Sequence, residues 1–126
     1  MKRFFVMIFV CAALWSCVHG RASHSSRDSL DWAGTYEGVL PCADCPGIHT
    51  VMTLSPDLPY TLSTRYEGRD NAGVEKKGVF SWSADGSRIF LDGSKTPAYK
   101  VGENALFHLD MDGRVICGDL AEKYVL

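Results

Sequence analysis

From Trp32 onward, apolar and polar residues alternate in short bursts broken by turn residues, and no stretch keeps a 3.6-residue period for three turns. The bursts predict strands at Gly34–Leu40, Ile48–Leu54, Tyr60–Tyr66, Val74–Trp82, Arg88–Leu91, Ala98–Val101, Ala105–Asp110 and Glu122–Leu126. Ser55-Pro56-Asp57-Leu58-Pro59, Asp70-Asn71-Ala72-Gly73, Ala84-Asp85-Gly86, Asp92-Gly93 and Asp112-Gly113 supply the turns. Connections this short favour antiparallel pairing of successive strands. Tyr36, Gly38 and Leu40 share one face of the first strand. Ile48, Thr50, Met52 and Leu54 share a face of the second, Tyr60, Leu62, Thr64 and Tyr66 of the third, and Gly78, Phe80 and Trp82 of the fourth. Each strand has one apolar face, which the sheet must cover with itself. The prediction is an all-β fold, a small antiparallel up-and-down barrel of about eight strands over residues 32–126, since closure also removes exposed edges. A flattened two-sheet sandwich is the alternative.

The first 31 residues follow a different pattern. Lys2 and Arg3 precede an unbroken apolar run of eleven residues, Phe4–Leu14, which is too short to span a bilayer and has the form of a secretory signal. Leu14-Trp15-Ser16-Cys17 then resembles the lipobox of bacterial lipoproteins, with a branched apolar residue three before a cysteine and a small residue just before it. It predicts a signal peptide over 1–16 and a lipid-modified Cys17. Two or more acyl chains on that cysteine anchor stably, where one holds only marginally. Residues 17–31, with four serines and the pair His19 and His24, read as a flexible tether. Without the signal peptide the chain keeps fifteen acidic residues but loses Lys2 and Arg3 from its thirteen basic ones, leaving a formal charge of about −4. With no basic stripe, nucleic acid is not an expected partner. Electrostatic adhesion to anionic lipid is not expected either, so the lipid chains supply the membrane contact.

The densest chemical signal is Leu40-Pro41-Cys42-Ala43-Asp44-Cys45-Pro46-Gly47-Ile48. Its C-x-x-C spacing brings two sulfurs close enough to form a disulfide or to chelate one soft metal ion. Pro41 and Pro46 fix φ on both sides and remove backbone donors, so the loop is stiff and non-helical. Cys11 leaves with the signal peptide and Cys17 takes the lipid. In an oxidising compartment Cys42 and Cys45 then pair unless a metal holds them, and Cys117 is left over. Three readings stay open. Thiol–disulfide catalysis is one, but strands flank the motif where a thiol-activating helix would be needed. A copper(I) site on Cys42 and Cys45 is the second, with Cys117, Met52, Met111 or His49 able to add a ligand; one C-x-x-C excludes a four-cysteine zinc site within the chain. A structural disulfide that pins the loop is the third.

Cys117, within Arg114-Val115-Ile116-Cys117-Gly118, reads as a small buried apolar group. His49 reads as facing solvent, and His108 has no assigned role. There is no Ser/His/Asp arrangement, no framed carboxylate pair and no phosphate-binding glycine loop, so the chain reads as a non-enzyme.

Gly34-x-Tyr36-x-Gly38-x-Leu40-Pro41-Cys42-Ala43-Asp44-Cys45-Pro46-Gly47-Ile48, followed by Thr50, Leu54, Tyr60, Leu62 and Tyr66-x-Gly68, resembles the N-terminal domain of the NlpE lipoproteins. The likeness continues more loosely through Gly78-x-Phe80-x-Trp82, Ile89-x-Leu91, Tyr99-x-Val101, Leu109-Asp110-x-Asp112-Gly113 and Tyr124-Val125-Leu126. The resemblance implies a lipocalin-like barrel on an acylated N-terminus, with the family's C-x-x-C carried onto Cys42 and Cys45. It also implies the family's association with copper resistance, surface adhesion and envelope-stress sensing, and so an envelope-stress or surface partner. Val18 stands after the acylated cysteine, in place of the Asp associated with inner-membrane retention, which points to the outer membrane. Longer members carry a second, OB-like domain; signalling that depends on it is not expected of the residues here. The expectation is an outer-membrane binding or sensing module responsive to copper or redox state. The alternatives are a carrier of a small apolar ligand and a structural or adhesion lipoprotein. Nothing in the sequence sets an oligomeric state.

Overall fold

The computed structural model describes residues 25–69 and 72–126. The expected signal peptide over 1–16, Cys17, His19, His24 and the Asp70-Asn71 pair lie outside the described residues.

Seven strands follow one another in chain order, each antiparallel to the last: β1 (Gly34–Leu40), β2 (Ile48–Leu54), β3 (Pro59–Tyr66), β4 (Val74–Trp82), β5 (Arg88–Leu91), β6 (Ala98–Gly102) and β7 (Ala105–His108). Paired residues point to the same side of the sheet. One row on the core side therefore runs Tyr36, Met52, Leu62 and the next Gly38, Thr50, Thr64; their β4 partners Lys76 and Val74 stay exposed. These are the faces that the alternation predicts. They meet in a core of Tyr36, Met52, Leu54, Tyr60, Phe80, Ile89, Leu91, Tyr99, Val101, Leu106 and Leu126, none more than 7% exposed. Each fully buried large side chain contributes about 1.5–3 kcal/mol relative to exposure.

The sheet curls into a nearly closed barrel, and the predicted eighth strand is where sequence and structure part. Ala121–Tyr124 form a 3₁₀ turn, not a strand. Only the two residues after it pair: the Leu106 amide donates to the Leu126 carbonyl at 3.0 Å, and the Leu126 amide donates back at 2.9 Å. The other flank of this tail lies against β1. A Cβ on Gly38 would stand 2.6 Å from the Val125 carbonyl oxygen. The tail therefore fills the seam between the first and last strands, and Gly38 is what lets it approach.

The registers also sort the connections. The β1–β2 loop (41–47) and the β3–β4 loop (67–73) lie at one end of the barrel. The turns at 55–58, 83–87 and 103–104 lie at the other.

Part of the expected tether is structured. Ser26–Ser29 form one helical turn, α1, capped by Ser25, whose hydroxyl accepts from the Asp28 amide. The turn is docked at the 83–87 end: the Arg27 amide donates to the Gly86 carbonyl at 3.0 Å, and the Ser26 hydroxyl to the Val101 carbonyl at 2.7 Å. Trp32 completes the attachment. Its indole N–H donates to the Arg27 carbonyl at 3.1 Å, and its ring meets Phe80 and Trp82 edge-on at 5.6 and 5.2 Å. The Tyr36 hydroxyl donates to the Trp32 carbonyl at 2.6 Å.

Candidate functional site

The C-x-x-C segment forms the loop between β1 and β2. Cys42 and Cys45 are joined by a disulfide, with Cα atoms 5.3 Å apart and both residues half-buried. The loop rests on its neighbour at the same end of the barrel. Pro46 packs on Gly68, and the Glu67 amide donates to the Gly47 carbonyl at 2.9 Å. Gly47 is buried against the Val39 side chain, where a Cβ would collide. Arg69 donates to the Asp44 carboxylate at 2.7 Å and lies over the Tyr66 ring, 5.3 Å from its centre. The sequence predicts a stiff loop from its prolines; the structure adds that the second loop buttresses it.

Cys42, Asp44 and Cys45 offer three donor atoms within 4.8 Å of one another. As a disulfide the pair has no thiolate and holds no metal. Reduced, it offers two soft sulfurs, which suit copper(I), and one hard carboxylate oxygen, which does not. The donor set therefore fits a soft ion in the reduced state alone. Beside the disulfide, Val39, Leu40, Cys42, Pro46 and Leu120 line an open groove of about 350 Å³.

The other residues weighed as ligands do not join this cluster. Cys117 is corrected from buried to exposed. Val115 bridges to Leu109 and Ile116 turns half inward, so alternation sends Cys117 out on the side of Val115. Its sulfur lies 3.4 Å from the Val115 carbonyl, outside the donor cluster. Met52 is fully buried in the core, and Met111 projects into solvent, 88% exposed, from the turn after β7. His49 is on the outward face of β2, 2.6 Å from a Glu37 carboxylate oxygen. His108 packs edge-on against Tyr99 at 5.0 Å, with Nδ1 3.0 Å from the Leu109 carbonyl.

One polar constellation has no sequence signal. Lys76 lies opposite Leu62. Its ammonium is 2.8 Å from the Asp92 carboxylate, which also accepts from the buried Tyr60 hydroxyl at 2.7 Å. Gly78 leaves the space that the Asp92 side chain occupies. Lys76, then Tyr60, hold the Asp92 carboxyl below the usual carboxylate range. Burial, then the Asp92 hydrogen bond, raise the Tyr60 phenol. The group ties β3 and β4 to the turn after β5. It could have been found only from contacts 16 and 32 positions apart.

A model of the NlpE N-terminal domain matches residues 36–119. Lipoprotein NlpE of Escherichia coli (strain K12) is 32% identical over 84 residues, covering 65% of this chain and 36% of that protein. A Shewanella oneidensis protein solved as a candidate lipoprotein superposes with a TM-score of 0.75 at 47% identity, over 81% of this chain and 93% of that one. The crystal structure of the Cpx pathway activator NlpE from Escherichia coli superposes with a TM-score of 0.56 at 31% identity, over 68% of this chain and 46% of that one. The chain spans about a third of the length of the curated relative it matches.

Proposed function

The chain belongs to the NlpE N-terminal domain family, and from that footing we propose that it is an outer-membrane lipoprotein, anchored through Cys17, whose Cys42–Cys45 pair responds to copper or to redox state. The observation that carries the reading is the pair itself: two cysteines on a loop stiffened by Pro41 and Pro46 and propped by Glu67, Gly68 and Arg69. A loop already fixed loses little entropy when a soft ion binds, which lowers the cost of binding. The module is a binding and sensing element rather than an enzyme, and its partner belongs to the envelope-stress or surface machinery. The carrier alternative gains nothing from the interior, which is occupied by core side chains.

Titration of reduced protein with copper(I), beside a Cys42→Ser/Cys45→Ser double mutant, tests the proposal. The parent should bind one ion that the double mutant does not, and Cys117→Ser should bind as the parent does. Equal affinity in parent and double mutant removes the metal response and leaves a structural clip. Cys17→Ala should abolish lipidation; a mutant that fractionates with membranes as the parent does removes the anchor.

A further inference from the structure

Ser25 and α1 are bound to Gly86 and Val101, at the end that carries the 55–58, 83–87 and 103–104 turns. The disulfide loop is at the opposite end, beyond β1 and β2. Ser25 follows Cys17 by only eight positions, a contour of at most about 28 Å. A nine-residue strand such as β4 is itself about 30 Å long.

Next to this attachment, Arg88 and Lys100 are paired across β5 and β6 on the outward face, both exposed. Like charges placed directly opposite destabilise a sheet. Neither has an ion-pair partner among the described residues.

We propose that the Gly86–Val101 end of the barrel, with Arg88 and Lys100, is the face that rests on the phospholipid headgroups of the anchoring membrane, and that the Cys42–Cys45 loop is presented on the far side. The proposal rests on the lipid anchor at Cys17 described above. A lipid at Cys17 keeps the α1 end within about 28 Å of the bilayer. A reversed barrel, with the disulfide loop on the lipid, would need that whole stretch drawn straight alongside the strands. Headgroup phosphates offer Arg88 and Lys100 an anionic partner beyond the nearby Asp85, while Asp57, Asp85 and Glu103 on the turns of the same end oppose the contact, so tether length sets the near face. Whatever meets the cysteine pair then approaches from the side away from this membrane.

The test uses the full lipidated chain in the Cys117→Ser background, with a dye on Ala84→Cys at the near end or Ala72→Cys at the far end, both exposed positions. Energy transfer is measured to an acceptor on the vesicle surface, in phosphatidylcholine with and without phosphatidylglycerol. Transfer from Ala84→Cys should exceed that from Ala72→Cys by about twofold or more, given a strand length between them. Arg88→Glu/Lys100→Glu should lower the Ala84→Cys signal in the anionic vesicles alone. Equal transfer from both positions, or more from Ala72→Cys, overturns the orientation. An unchanged signal in the charge-reversed protein overturns the headgroup contact. Protein that does not float with vesicles overturns the anchor, and the orientation with it.

Discussion

At Gly38 the absence of one side-chain carbon lets the barrel close. A methyl group there would press on the Val125 carbonyl at 2.6 Å and on the Leu126 Cα at 3.3 Å. Backbone cannot swing aside as a long side chain can, so Gly38→Ala should cost about 1–3 kcal/mol, read as a lower denaturant midpoint at unchanged slope. Asp92 sets a second expectation. Its folded pKa lies below the usual carboxylate range because Lys76, then Tyr60, favour the charged form. A carboxylate depressed in this way adds stability above its unfolded pKa and loses it as pH falls through the folded one. Asp92→Asn should therefore melt lower than the parent near neutrality. It should also lose less melting temperature between about pH 5 and pH 2, and an equal loss in both proteins would remove Asp92 from the acid limb. Individual residues were the hardest to read from sequence. Cys117 looks like core beside Val115 and Ile116, but it shares the outward side of Val115 while Ile116 takes the inner one. Lys76 looks like a solvated charge and stays exposed; what sequence hides is its ion pair with Asp92, sixteen positions away.

Elements were more legible because alternation is a local property that the registers then preserve. The ranges Gly34–Leu40, Ile48–Leu54, Val74–Trp82 and Arg88–Leu91 agree in sequence and structure. Each has an apolar face and turn residues at both ends. Glu122–Leu126 has the composition of a strand, but after the long 110–120 segment only Val125 and Leu126 reach β7; the residues before them bend into the 3₁₀ turn. The serine-rich stretch conceals α1, though Ser25-x-x-Asp28 is a helix-start signal, with a hydroxyl three residues before a carboxylate. One short turn has no stability of its own and persists through its docking bonds. Ser26→Ala, which deletes the bond to Val101, should speed hydrogen exchange at the Arg27 and Leu30 amides several-fold. Protection in β2 and β3 should be unaffected. Faster exchange across the whole barrel, or unchanged exchange at α1, would contradict this local role.

For the molecule as a whole, the barrel was legible as a class because seven short, one-sided strands joined by tight connections leave few ways to bury their apolar faces. How its edges meet was not, since that depends on contacts between the two ends of the domain. The disulfide contributes to one loop and not to this closure. It spans three positions, so its removal should cost about 2 kcal/mol against the 5–15 kcal/mol typical of a domain. A reduced protein should accordingly melt a few degrees lower and keep its β-type circular dichroism; global unfolding on reduction would make the bond an essential staple. The seam has a further consequence, one of timing. Every pairing from β1 to β7 joins chain neighbours, so on the export route proposed above each hairpin can form as soon as its second strand has crossed the membrane. The tail at Val125 and Leu126 is different. It must find β7 and lie against Gly38 in β1, a strand that emerged some ninety positions earlier. Until then the outer edge of β1 has no strand or tail beside it. On that route the domain is an open sheet until its tail arrives, and that interval is when an unpaired edge stands ready for a chaperone or a stray strand.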